Sequence, residues 1–71
     1  MELRKSLVAK ETRLGMRVRV AEDARRPGFE GMFGTVRASF GNPDYPALDV
    51  QLENGRLELF WLHQLEKVGE R

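Results

Sequence analysis

The sequence predicts an all-β fold: a small, strongly bent antiparallel barrel of about five short strands, with a short 3₁₀ turn before the last one. Three observations carry this expectation. Apolar and polar residues alternate through Met16-Arg17-Val18-Arg19-Val20 and again from Leu48 to Glu53, which is the period of a strand with one buried and one wet face. Asn54-Gly55 separates two such runs, the composition that a tight hairpin turn favours. Glycines flank the starts of two strands, where a sharp barrel corner needs residues without a Cβ. The alternative architecture is a helix over residues 2–13 packed on a three-stranded sheet.

Residues 1–13 form a lead-in whose conformation the pattern leaves open, because Leu3, Leu7, Lys10 and Leu14 fit helical spacing while the same stretch reads equally well as extended chain. The barrel is expected over 14–68, and 69–71 as a frayed tail. After the first strand, "AEDARRPGFEG" is too irregular for a strand and is stopped as a helix by Pro27, so it should be a long loop. Met32, Gly34, Val36 and Ala38 then share one side of a second strand, with Phe33, Thr35, Arg37 and Ser39 on the other. "FGNPDYP" breaks the chain again. Leu48, Val50 and Leu52 define the third strand, and "LHQLEKV" closes the pattern with a single turn that returns Leu65 and Val68 to the core.

A two-residue type I′ loop at Asn54-Gly55 would pair Glu53 with Arg56, Leu52 with Leu57, Val50 with Leu59 and Leu48 with Trp61. Every apolar partner then falls on one face, and Phe60 points to the other.

"RRPGFEGMFGTV" places Gly28, Gly31 and Gly34 at three-residue spacing behind two arginines. A phosphate cradle would need a helix N-terminus after the glycines. Gly34 instead leads into "TVRASF", a strand pattern without an N-cap, and Glu30 would repel the backbone that a G-x-x-G nucleic-acid clamp holds. The glycines are therefore expected to serve a bend, a strand entry and a close interstrand approach.

"GMRVRV", "GFEGMFGTV", the Asn-Gly hairpin and "LFWLHQLEKV" resemble the SH3-like barrels of small bacterial proteins, and "GFEGMFGTV" is similar to the KOW motif. The likeness covers about residues 14–68. The stretch from Pro43 to Val68 also resembles CarS-type antirepressors, with Pro43, Asp44, Leu59, Phe60, Trp61, Leu65 and Glu66 carrying the similarity. This resemblance implies a barrel that binds a repressor through an acidic, DNA-like surface. The chain departs from it in charge: residues 1–28 hold eight Lys/Arg against four Asp/Glu, and residues 29–71 hold four against seven, within a net charge of +1.

Composition narrows the function. The 71 residues include no cysteine and one histidine, so neither a disulfide framework nor a spaced metal-ligand cluster is written into the sequence, and no cofactor is expected. No serine or threonine has the surroundings of an activated nucleophile, and the carboxylates are scattered singly. No stretch is apolar enough for a membrane span, so the default reading is a cytoplasmic protein.

The aromatics outnumber what a core of this size readily hides. Phe33 and Phe60 fall on the wrong face for burial, unless a bend turns them inward or the loop covers them. Arg25, Arg26, Phe33, Arg37, Phe40, Tyr45 and Phe60 are the partner-binding set that the pattern assembles. The expected function is a non-enzymatic module that engages a protein, a transcription regulator or a subunit of a complex, through an aromatic loop face. RNA or single-stranded nucleic acid is the alternative ligand, and the sequence leaves the oligomeric state open.

Overall fold

The computed structural model describes residues 7–68; residues 1–6 of the lead-in and the tail at 69–71 lie outside them. A 3₁₀ turn at Ala9–Glu11 leads into five antiparallel strands: β1 (Arg17–Val20), β2 (Phe33–Phe40), β3 (Ala47–Leu52), β4 (Leu57–Trp61) and β5 (Leu65–Lys67). A second 3₁₀ turn, Leu62–Gln64, joins β4 to β5. All five strands belong to one sheet in the order β4-β3-β2-β1-β5.

The buried side of that sheet is set by alternation. Val18, Val20, Val36, Leu48, Val50, Leu52, Phe60 and Leu65 point inward, and Leu7, Ala21 and Ala24 from the loops and Leu62 from the second 3₁₀ turn complete the cluster. Phe29 and Met32 from the long loop, with Ala9 and Met16, pack against it. The chain is nearly as thick as it is long, with extents of 31 × 28 × 26 Å. A flat sheet would be far thinner, so the strands roll around their own apolar face.

The roll does not close, and this corrects the predicted SH3-like, KOW-type barrel. A closed barrel has no sheet edge, whereas here β4 and β5 are the two ends of the strand order and each pairs with a single neighbour. The reason lies in the connection: β5 is three residues long, comes after β4 with one 3₁₀ turn between them, and spends its pairing on β1 through Val18–Lys67, Arg19–Glu66 and Val20–Leu65. Coil covers what the strands leave open. The Leu7 N–H donates to the Leu65 carbonyl (3.3 Å), and the loop between β1 and β2 lies across the core, held by Ala21 N–H donating to the Gln64 carbonyl (2.9 Å). The all-β character, the strand number and the 3₁₀ turn before the last strand are as expected from sequence.

The hairpin register also differs, by one residue. Gln51 pairs with Leu57, Val50 with Glu58, Asp49 with Leu59, Leu48 with Phe60 and Ala47 with Trp61. The Leu52 N–H donates to the Arg56 carbonyl (2.8 Å) and the Gly55 N–H to the Leu52 carbonyl (2.9 Å), which leaves Glu53, Asn54 and Gly55 as a three-residue loop. A type I′ turn needs positive φ at both Asn54 and Gly55. Only Gly55 has it (φ 92°), the form a three-residue loop takes when it ends in a left-handed glycine.

Since side chains alternate, this slip exchanges the two faces of β4. Phe60 is 1% exposed, whereas Leu57, Leu59 and Trp61 are 53%, 50% and 48% exposed. The inward phase of Phe60 continues into Leu62, which is also buried. A second shift acts on β2: a bulge between Val36 and Ala38 leaves Arg37 as the extra residue, so that Ala38 pairs with Asp49 and Phe40 with Ala47 on the outer face.

The glycine triplet performs the structural roles expected of it. Gly31 adopts φ 82° in the bend before β2, and its N–H donates to the Val20 carbonyl (2.8 Å). At Gly34 an added Cβ would stand 2.6 Å from Val50 Cγ1 and 2.8 Å from the Gln51 carbonyl oxygen.

Two substitutions test the register and the close approach. Replacement Phe60→Ala should lower stability by about 3–5 kcal/mol while Leu59→Ala stays within about 0.5 kcal/mol, read as urea midpoints; the two-residue loop predicts the opposite order. Replacement Gly34→Ala should cost about 1–3 kcal/mol by overpacking against backbone that has no room to shift.

Candidate functional site

The outer face of the sheet has two halves. Cα partners share a face, so Trp61, Ala47 and Phe40 form one row across β4, β3 and β2, and Leu59, Asp49 and Ala38 form the next. Leu57, Gln51, Thr35 and Arg17 form the third, and Phe33 lies opposite Arg19 on β1. The β4 half is apolar and aromatic. The β1 half is arginine-rich.

Tyr45 enlarges the aromatic half. It precedes Ala47 by two residues, and its ring stacks on Trp61 with centroids 5.8 Å apart and planes 15° apart. A hydrogen bond joins Tyr45 Oη to His63 Nδ1. The two rings are coplanar within 7° at a centroid distance of 6.3 Å, which is an end-to-end arrangement through that hydrogen bond rather than an overlap of faces. Ala47, buried, separates Trp61 from Phe40, which is 52% exposed. The result is an exposed apolar platform of Leu57, Leu59, Trp61, Tyr45 and Phe40 on one face. Single apolar residues are normal on protein surfaces, whereas several large ones gathered on one face are unusual.

The free edge of β4 is guarded. Leu59 and Trp61 are opposite Asp49 and Ala47 in non-hydrogen-bonded pairs, so their backbone polar groups point away from β3. Arg26 Nη1 donates to the Leu59 carbonyl (2.7 Å), and the Trp61 N–H donates to Gln64 Oε1 (2.9 Å). Gln64 Nε2 in turn donates to the Ala24 carbonyl (3.1 Å), tying the same loop to the turn. Side chains thus occupy backbone groups that an incoming strand would need.

The predicted site residues separate into three groups. Phe40 and Tyr45 are exposed on the platform. Arg26 and Phe60 are structural: Phe60 lies in the core, and the Arg26 guanidinium covers its ring at 4.4 Å, approaches Phe29 at 5.8 Å and pairs with Glu58 at 3.3 Å. Neither is free to meet a partner.

Arg25 is exposed and left-handed (φ 61°), a conformation costing a non-glycine residue on the order of 1 kcal/mol. The kink precedes the residue that reaches β4. Phe33 is half-buried, and its cation is Arg17, 5.6 Å from the ring centroid. Arg37 is the exposed bulge residue.

Sequence reasoning missed Trp61, Leu57, Leu59, His63 and Arg17. The signal for the first three was present: a three-residue loop places Phe60 and Leu62 in one inward phase. Among the described residues no group of three or more His, Asp or Glu side chains converges to hold a metal ion, and no helix is long and apolar enough to cross a membrane.

Arg26 supplies the test of this arrangement. Replacement Arg26→Lys keeps the charge but loses the planar contact with Phe60 and the forked hydrogen bonding, and should lower stability by about 1 kcal/mol in urea unfolding. Hydrogen exchange at the Trp61 amide, on the same edge, should accelerate with it.

Comparison of the chain with protein-family models, curated proteins and solved structures finds no match. The resemblance to SH3-like, KOW-type and CarS-type proteins therefore gains no support from these comparisons, and the open sheet contradicts its barrel.

Proposed function

We propose that the chain is a non-catalytic interaction module that captures a protein partner, a segment of a regulator or of a complex subunit, on the outer face of β4. One observation carries the reading: the three-residue hairpin loop turns Leu57, Leu59 and Trp61 to solvent beside Tyr45 and Phe40. Large apolar and aromatic groups on a rigid strand supply contact area with little entropy to lose, the usual composition of binding hot spots. The platform replaces the aromatic loop face expected from sequence, retaining Phe40 and Tyr45 from that set.

Nucleic acid fits the same surface less well. Bases would stack on Trp61 and Tyr45, but Asp49 lies in the middle of this face and Asp44 directly precedes Tyr45, where a phosphate backbone would be repelled.

Trp61 is the single tryptophan, so its fluorescence reports on the site without a label. Peptides selected from a display library against the whole chain should protect Trp61 from acrylamide quenching. The Leu59→Ser and Tyr45→Ala variants should lose about 30-fold or more in affinity for them at an unchanged urea midpoint. Selected peptides that bind without protecting Trp61 would refute the reading.

A further inference from the structure

The partner's chemistry is written in the other half of the same face. Several of the described cations are neutralised within the fold: Arg19 is paired with Glu22 (2.7 Å) and Glu66 (3.1 Å), Arg26 and Arg56 with Glu58 (3.3 and 2.8 Å), and Lys67 with Glu11 (2.9 Å). Arg17 and Arg37 have no carboxylate partner among the described residues, and both are exposed. Arg17 is held over the Phe33 ring. Arg37 projects from the bulge beside the Asp49 position of β3. Asp49 itself makes no ion pair among the described residues, so it leaves both guanidinium groups available.

Building on the protein-binding role proposed for the β4 platform, we infer that the partner is an acidic segment with an apolar anchor. The anchor lies on Leu59, Trp61 and Tyr45, and Asp or Glu side chains reach across the sheet to Arg37 and Arg17. Three strand spacings separate β4 from β1, roughly 14 Å, a span that about four or five extended residues cover. The carboxylates therefore come before or after the anchor by that number of positions. A guanidinium is suited to this task because its planar fork meets a carboxylate in two parallel hydrogen bonds, and Phe33 pre-orients one of the two.

A peptide fits better than a nucleic acid strand because its charges are placed individually. It can leave Asp44 and Asp49 facing neutral groups while engaging the arginines, whereas a polymer charged at every unit meets those carboxylates as it crosses the face. The pairing should set specificity and association rate more than total affinity.

Three synthetic peptides distinguish the possibilities, each with a Leu-Trp-Leu anchor and, four residues later, two glutamates, two glutamines or two lysines. An oligo-dT strand is the fourth probe. Binding is monitored by amide chemical shifts of the full chain at low and moderate salt. The glutamate peptide should bind about five- to tenfold more tightly than the glutamine one at low salt, with shifts at both β4 and Arg17/Arg37. That preference should vanish in the Arg17→Gln/Arg37→Gln double variant, and Leu59→Ser should weaken all three peptides.

Equal or tighter binding of the lysine peptide, or a glutamate preference that survives the double variant, overturns the acidic-partner inference and leaves the platform reading in place. Stronger oligo-dT shifts at Arg17 and Arg37 assign that half of the face to nucleic acid and also overturn it. No shift at Trp61 with any peptide removes both readings.

Discussion

The turn at Glu53, Asn54 and Gly55 governs this molecule more than any other feature. A hairpin loop of three residues rather than two changes no composition and no strand assignment, yet it decides which side of β4 meets water. With Phe60 inside, the core gains one large ring adjoining Leu48 and the T-shaped contact with Phe29, at 6.3 Å and 84°. With Leu57, Leu59 and Trp61 outside, the sheet acquires a surface that its own core does not need. Much of the energetic weight rests on Phe60, because a buried aromatic core side chain contributes several kcal/mol.

The second organising feature is the substitution of side chains for a missing ladder. An open sheet of five strands has two edges, and an apolar edge strand is a template for unwanted pairing. Here one arginine and one glutamine occupy backbone groups on the β4 edge, and the Leu7 N–H reaches β5. Arg26 does more than cap: its guanidinium lies over the Phe60 ring while its fork meets Leu59 and Glu58. Packing and hydrogen bonding thus converge on one side chain, which is why its charge alone would be a poor measure of its contribution.

Much of this architecture was legible in the residues themselves. Alternation at Met16–Val20 and Leu48–Leu52 located β1 and β3, and the polar, proline-stopped run at 21–31 gave the long loop. The spacing of Gly28, Gly31 and Gly34 was correctly read as bend and close approach. What alternation could not convey was phase. On β4 alternation sets Leu57, Leu59 and Trp61 on one face and Glu58 beside Phe60 on the other, so periodicity alone favours the side that the structure exposes. On β2 the bulge at Arg37 reverses the faces midway, and nothing local announces it. Barrel closure was harder still, since it depends on whether the two end strands of the sheet, β4 and β5, pair with each other. Arg26 looked like surface charge because its partners are 32 and 33 residues away.

The strand order has a consequence for the way the chain acquires its structure. β2, β3 and β4 pair with chain neighbours through short connections, so this meander can assemble early from local encounters. The ladder between β1 and β5 is different: it joins Val20 to Leu65 and closes a loop that contains every other strand. During synthesis, the pairing of Val18 and Val20 with β5 must therefore wait until residues 65–67 have emerged. The step that completes the sheet is also the one that depends on the last of these five strands to be made.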